Sequence, residues 1–136
     1  MREILFRGKR VYDGEWVEGF YEFSYLYDTL RETHRIIWVD KASRTNFLTE
    51  VSSETVGQFT GLTDKNGRKI FEGDIVDCWS EGVNAQGTVQ QRRDGLWIIY
   101  PAWQKHIMWG LCPDEYSHTT VEIIGNIHDN PELIKA

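Results

Sequence analysis

The sequence predicts a mainly-β protein, and three observations support that class. Short runs of β-branched and aromatic residues recur along the 136 residues, separated by turn-forming Asp-Gly and Asn-Gly pairs. Runs with the 3.6-residue apolar period of a helix are scarce. Six Trp, six Tyr and six Phe indicate a folded chain, because disordered chains are poor in aromatic residues.

The first half contains four predicted strands. Asp13-Gly14 marks a turn, and the imperfect alternation of the long strand after it indicates a strand that is either buried on both faces or bent at Gly19. The polar residues 41–46 turn the chain back as a hairpin. Residues 53–56 predict one short helical turn. The strands are Glu3–Arg7, Trp16–Tyr27, Arg35–Val39 and Phe47–Val51.

The second half has sharper turns. Asn66-Gly67 predicts a hairpin whose two central residues take a positive φ, and Asp94-Gly95 predicts another hairpin. Residues 80–86 predict a loop, and residues 101–118 show no clear pattern. The strands are Gln58–Leu62, Lys69–Phe71, Ile75–Trp79, Thr88–Arg92, Leu96–Tyr100 and Thr120–Ile124. Strands this short, spaced by about 8–12 residues, are typical of a small barrel or sandwich.

Composition argues against several classes of function. Fifteen basic and 21 acidic residues give a net charge of −6, which disfavours broad, charge-driven binding to nucleic acid or an anionic membrane. The longest apolar run, Leu96–Tyr100, is far shorter than the ~20 residues that span a bilayer, and residues 1–7 show no signal peptide. We therefore expect a cytoplasmic protein with no membrane partner and with Cys78 and Cys112 reduced.

Three stretches of the sequence together resemble one known family. The first joins residues 2–8 (REILFRG) to residues 14–19 (GEWVEG), the second contains VGQFTGLTDKNG and IFEGDIV within residues 55–76, and the third is residues 124–133 (IGNIHDNPEL). In order and spacing, nearly the whole chain resembles the YopX family of phage and prophage proteins. Phe59 and Phe71 stand where the family usually has Tyr.

The resemblance implies a fold and a prophage setting but no reaction. It implies a β-rich fold whose second half is similar to an SH3-like barrel. We therefore expect a small N-terminal β lobe, residues 1–53, packed on a C-terminal SH3-like barrel with a tail, residues 54–136. It supplies no catalytic residue. Turn structure explains the shared motif, because Gly accepts a positive φ or a close backbone approach and Asp accepts hydrogen bonds from turn amides. The alternative is a turn that binds a ligand, since loop residues often carry function. The turn residues are Gly61, Asp64, Asn66, Gly67, Gly73 and Asp74.

No motif in the sequence predicts a metal, a cofactor or a reaction. Zinc sites usually contain a ligand pair separated by two to four residues, and the four soft ligands of the variable segment lack one. These ligands are Cys78, His106, Cys112 and His118. The Asp-Lys-Asn-Gly turn lacks calcium-loop spacing, and nucleophile, phosphate and dinucleotide motifs are missing from the sequence. We therefore expect no enzyme, no metal, no cofactor and no small-molecule substrate.

Nucleic-acid binding is the alternative function. Arg92 and Arg93 are predicted at a hairpin tip beside Trp97, and Trp103 and Lys105 follow nearby. Small barrels stack bases on aromatic side chains and hold phosphates with arginine. The opposing interpretation is a solvated hairpin tip with Trp97 in the core.

A protein partner or a second copy of the chain is the interpretation that the sequence favours. Tyr21, Tyr25 and Tyr27 lie on one side of one predicted strand, and interfaces are enriched in Tyr and Trp. The alternative is that these side chains fill a core between two lobes. The sequence thus favours a prophage-associated, non-enzymatic protein that binds protein or forms a homo-oligomer.

Overall fold

The protein is mainly β, which confirms the class predicted from the sequence. The computed structural model describes residues 3–25, 31–80, 83–102 and 107–133, and these contain eleven strands and two short 3-10 turns. The chain divides into two compact units, Met1–Gln58 and Phe59–Ala136.

Unit 1 is an antiparallel sheet with the strand order β4-β3-β2-β1. A 3-10 turn, Ser53–Thr55, follows β4, and residues Gly57 and Gln58 after it pair with β1. The sheet curls, because the chain after β1 meets the chain after β4 in a bridge between Arg10 and Val51. One face holds a small core of Val17, Ile36 and Val51. The strands are β1 (Phe6–Lys9), β2 (Trp16–Tyr25), β3 (Glu32–Asp40) and β4 (Thr45–Glu50).

Unit 2 contains a five-stranded antiparallel sheet of order β10-β9-β8-β7-β11 and a β5–β6 hairpin. Its core consists mainly of branched aliphatic side chains from strands and from residues next to them: Ile70, Val76, Val89, Ile99, Leu111 and Val121. In the described residues the five-stranded sheet is open, since β10 and β11 form its two edges. The strands are β5 (Gly57–Thr63), β6 (Lys69–Phe71), β7 (Asp74–Ser80), β8 (Val83–Gln91), β9 (Trp97–Ala102), β10 (Ile107–Gly110) and β11 (Glu122–Asn126), with a 3-10 turn at Pro131–Leu133.

The strand bounds differ most from the sequence prediction at β8 and β10. β8 begins at Val83, inside the predicted loop, because its ladder with β7 continues until Ser80 pairs with Val83. Asn84, Gln86 and Gly87 have low strand propensity, and pairing with a neighbouring strand outweighs it. β10 lies within the stretch 101–118, for which the sequence shows no clear pattern.

The turn at Asn66-Gly67 also differs from the prediction. Gly67 takes a φ of 80°, but Asn66 is not among the residues with positive φ, so the expectation that both central residues would do so is wrong. The turn is instead held by Asp64, whose Oδ1 accepts the amides of Asn66 and Arg68, each at 2.9 Å. A side-chain acceptor of this kind removes the need for a tight two-residue turn.

Candidate functional site

The outer face of unit 1, opposite its core, carries three apolar side chains in a line across three strands. Phe20 of β2 pairs with Ile37 of β3, and Ile37 pairs with Leu48 of β4. Directly opposed side chains in an antiparallel sheet lie about 5 Å apart at Cβ, so the three form one continuous strip. Their exposed fractions are 65%, 39% and 50%. We call Phe20, Ile37 and Leu48 the apolar row.

Polar and charged groups lie along one side of the apolar row, while its other side is mixed. On one side Arg35 of β3 pairs in register with Glu22 of β2 and Glu50 of β4, and its guanidinium donates to Glu22. On the other side Val39, 55% exposed, pairs with Asn46. An apolar centre beside a polar margin is the usual composition of a protein interface.

Sequence reasoning missed the apolar row. Phe20, Ile37 and Leu48 come from three strands, and only the register of β2–β3–β4 brings them together. The signal available in the sequence is the adjacent pair Ile36-Ile37 within a predicted strand. In the structure Ile36 is fully buried and Ile37 is exposed. Because successive side chains of a strand point to opposite faces, two adjacent isoleucines place an apolar residue on each face of the sheet.

Of the tyrosines predicted to form an aromatic face, Tyr21 and Tyr25 lie on the opposite side of β2 from the apolar row. Tyr21 is half-buried, its ring lies 5.2 Å from that of Phe6, and its hydroxyl is hydrogen-bonded to His34. Burial raises the pKa of Tyr21, and the negative charge of Glu32 adds to the shift. Tyr25 is exposed, and its ring contacts that of Phe23 edge-on. Tyr27 lies outside the described residues.

The Arg92 hairpin is exposed, but Arg92 and Trp97 are engaged within the chain. Arg92 donates to Asp94, and this hydrogen bond raises the pKa of Arg92 and lowers that of Asp94. Trp97 is half-buried and packs against the core of unit 2. Arg93 is exposed at the tip. Trp103 and Lys105 lie outside the described residues.

The turn motif forms a network of backbone hydrogen bonds around a buried carboxylate. Asp64 is 2% exposed, and it accepts the amides of Asn66, Arg68 and, at 3.1 Å, Ile123 of β11. Burial alone would raise the pKa of Asp64. The three amides and the nearby Arg68 guanidinium outweigh burial, so that the pKa lies below its usual 3.8. Asp64 therefore joins the β5–β6 hairpin to β11.

The remaining motif residues also serve the backbone. Asp74 is buried, and its Oδ2 accepts the amide of Phe71 at 2.8 Å. Gly61 and Gly73 take φ values of 84° and 91°, a region that favours glycine because other side chains clash there. Unit 2 thus gives every residue of the motif a structural role.

Comparison with known proteins settles the family. A sequence model of the YopX protein family matches residues 5–135. The chain belongs to the YopX protein family. In structure it is similar to protein EF1440 from Enterococcus faecalis, known from a crystal structure, with 22% identity and a TM-score of 0.48 over 99% of this chain and 100% of that one. No curated protein matches the sequence.

A cavity of about 380 Å³ in unit 2 of this YopX-family chain contains both cysteines. Cys78 is buried and its thiol lies 3.2 Å from the carbonyl of Ala85, while Cys112 is exposed. Burial raises the pKa of Cys78 to about 11, and the charge of Asp77 adds to the shift. The other lining residues are Trp79, Ile99, Gly110, Thr119, Thr120 and Val121.

The two cysteines should differ sharply in reactivity. At pH 8 a thiol with a pKa of about 11 is ionised in only about one molecule in a thousand, and the thiolate is the nucleophile. We expect iodoacetamide to alkylate Cys112 in the folded protein and to reach Cys78 only after unfolding. Peptide mass mapping with and without urea measures this, and equal labelling of both thiols in the folded protein would contradict the burial of Cys78.

Within the described ranges, no three His, Cys, Asp or Glu side chains converge as metal ligands. Cys78 and Cys112 share the cavity, whereas His106 lies in the undescribed segment 103–106. The described residues also contain no helix that is both long and apolar enough to cross a bilayer.

Proposed function

We propose that this YopX-family protein is non-enzymatic and acts by binding a protein surface through the apolar row. The observation that carries the proposal is the exposure of Phe20, Ile37 and Leu48 side by side on one sheet face. Single exposed apolar residues are normal on a protein surface, but contiguous ones mark interaction sites. In this proposal the binding surface is the face of β2 that carries Phe20. It is not the face predicted from Tyr21, Tyr25 and Tyr27.

A pair of variants tests this proposal. Phe20→Thr combined with Ile37→Thr keeps strand propensity and removes two large apolar groups, each worth about 2 kcal/mol when buried in an interface. Leu96→Thr is the matched control, because Leu96 is also exposed but lies in unit 2. We expect the double variant to bind itself or its partner more than tenfold more weakly and the control to bind like the wild type.

The wild type, the double variant and the control are each immobilised and exposed to a bacterial lysate and to soluble copies of the chain. Quantitative mass spectrometry then measures which proteins each one retains. The thermal midpoint of the double variant should stay close to that of the wild type, since Phe20 is largely solvated and Ile37 partly solvated in the single chain. Retention that is identical for all three proteins would overturn the proposal.

Nucleic-acid binding through Arg92 and Arg93 is the weaker proposal. Asp94 offsets the charge of Arg92, and Trp97 packs on the core instead of offering a free ring. A band-shift series against salt separates the two functions, because phosphate-driven binding falls steeply as salt rises. A shift that Arg93→Ala weakens would favour nucleic acid over protein.

We also propose the setting and the finer fold. Membership of the YopX family supports a prophage gene whose product works in the cytoplasm of the bacterial host, and sequencing the neighbouring genes tests the prophage origin. The β7–β8–β9 meander with its flanking β11 supports an SH3-like barrel for unit 2. A crystal structure of the whole chain tests that assignment.

A further inference from the structure

Four side chains form a compact group on the face of unit 1 that is opposite the apolar row. Phe23 and Tyr25 of β2 pair in register with His34 and Glu32 of β3. Opposed side chains lie about 5 Å apart at Cβ, and residues two apart along one strand share a face, so the four are neighbours. We call Phe23, Tyr25, Glu32 and His34 the aromatic corner.

The two phenyl-type rings of the aromatic corner are open to solvent and stand steeply inclined to each other. Their centroids lie 5.4 Å apart with an interplanar angle of 72°, and the exposed fractions of Phe23 and Tyr25 are 46% and 57%. The ring of His34 lies 5.0 Å from that of Phe23. The faces of aromatic rings carry negative potential, so exposed ring faces of this kind attract a cation.

A carboxylate borders these rings. Glu32 is exposed, and its Oε2 lies 3.6 Å from Nε2 of His34, which is longer than a hydrogen bond. The other nitrogen of His34 is hydrogen-bonded to the hydroxyl of Tyr21. In the part of the chain that the structure describes, no arginine or lysine pairs with Glu32 or lies over the rings of Phe23 and Tyr25.

Unit 1 already holds one guanidinium with the same kinds of group. Cζ of Arg10 lies 5.0 Å from the ring centroid of Tyr12 and 5.5 Å from that of Trp38, and its guanidinium donates to both carboxylate oxygens of Asp13. A guanidinium is planar, stacks on aromatic rings and forms paired hydrogen bonds with a carboxylate, whereas an ammonium is a compact, strongly hydrated charge. Ring faces beside a carboxylate therefore favour arginine over lysine.

We propose that the aromatic corner binds the guanidinium group of an arginine side chain presented by a protein partner. The guanidinium lies against the exposed ring faces of Phe23 and Tyr25 and donates hydrogen bonds to the carboxylate of Glu32. The net charge of −6 favours the approach of a basic segment. The inference does not rest on the proposed function, because the aromatic corner and the apolar row lie on opposite faces of β2.

Three blocked tripeptides test the ligand: acetyl-Gly-Arg-Gly-amide and the same peptide with citrulline or lysine in place of arginine. Citrulline has nearly the shape of arginine but no charge. Each peptide is titrated into the isotope-labelled full chain, and the amide shifts of Tyr25 and Glu32 are followed by NMR. We expect the arginine peptide to bind at least about fivefold more tightly than the citrulline peptide and about threefold more tightly than the lysine peptide. Equal binding of the arginine peptide and either of the others would overturn the proposal.

Matched variants locate the site. Tyr25→Leu removes a ring and Glu32→Gln removes the charge at constant size, so each should weaken binding of the arginine peptide about threefold. Phe47→Leu is the control, because Phe47 is exposed on the same face but its ring stacks on that of Trp38, 4.9 Å away. Circular dichroism shows that each variant is folded. Folded Tyr25→Leu and Glu32→Gln variants that bind the peptide as tightly as Phe47→Leu would overturn the site.

The double variant of the apolar row separates this inference from the proposed function. Phe20→Thr with Ile37→Thr changes only the opposite face, so it should bind the arginine peptide like the wild type. Loss of peptide binding in the folded double variant would overturn the placement of the ligand at the aromatic corner.

Discussion

Replacing Asp64 with alanine should destabilise unit 2 by about 3 kcal/mol, because three backbone amides would lose their acceptor at once. These are the amides of Asn66, Arg68 and Ile123. The ion pair with Arg68 adds little, since that side chain is largely solvated. Hydrogen exchange followed by NMR gives the measurement, and the same three amides should lose their protection first.

Asp64→Asn is the matched control for charge. Its Oδ1 can still accept from Asn66 and Arg68, but its NH₂ group would face the Ile123 amide, so we expect a smaller loss of about 1–2 kcal/mol. Full protection of the three amides in the alanine variant would contradict the role given to Asp64.

The same carboxylate should make stability depend on pH. The pKa of Asp64 is lowered in the folded protein, so its contribution is fully present above the unfolded pKa of about 3.9 and is lost as pH falls through the folded pKa. Urea unfolding between pH 6 and pH 3 should therefore show a steeper loss for the wild type than for Asp64→Asn. Parallel pH profiles of the two proteins would be the contrary result.

Gly19→Ala should destabilise unit 1 by about 3 kcal/mol or more. A Cβ at Gly19 would lie 1.9 Å from the carbonyl oxygen of Ile37 and 2.8 Å from its carbonyl carbon, so the backbones of β2 and β3 would have to separate. That separation would also disturb the pairing of Phe20 with Ile37. Thermal unfolding, with hydrogen exchange to locate the affected strands, measures the effect.

Gly110→Ala is the control for that substitution, since Gly110 also lies in a strand. Among the described residues, a Cβ there would meet Cys112 Sγ alone, at the ordinary contact distance of 3.7 Å, so we expect a change below about 1 kcal/mol. If the two substitutions had equal effects, the close approach of β2 and β3 at Gly19 would be contradicted.

Local chemistry made much of the fold predictable. Runs such as residues 35–39 and 69–71 combine β-branched and aromatic residues between turns, and both lie in strands. Turn chemistry placed Gly67, Gly73 and Gly95, all of which take a positive φ. The YopX resemblance, based on residues spread from one end of the chain to the other, was confirmed by the match over residues 5–135.

Long-range pairing accounts for what sequence reasoning missed. Asp64 was expected to hold turn amides, but its third amide comes from Ile123, 59 residues away. Likewise Tyr21 and Phe20 are neighbours in sequence, and only the register of β2 with β3 sets one against His34 and the other in the apolar row. The alternation of side chains along one strand shows that the strand has two faces, but it does not show which face another strand covers.

Light scattering coupled to size exclusion tests the central claim, that the apolar row is covered by a protein surface. Because buried apolar area is not screened by salt, the wild type should approach about 32 kDa, twice its 15.9 kDa, as its concentration rises, at low and at high salt alike. Phe20→Thr with Ile37→Thr should stay near 15.9 kDa over the same range. A wild type that elutes as a monomer at every concentration would contradict self-association. A dimer unchanged in the double variant would contradict the role of the apolar row.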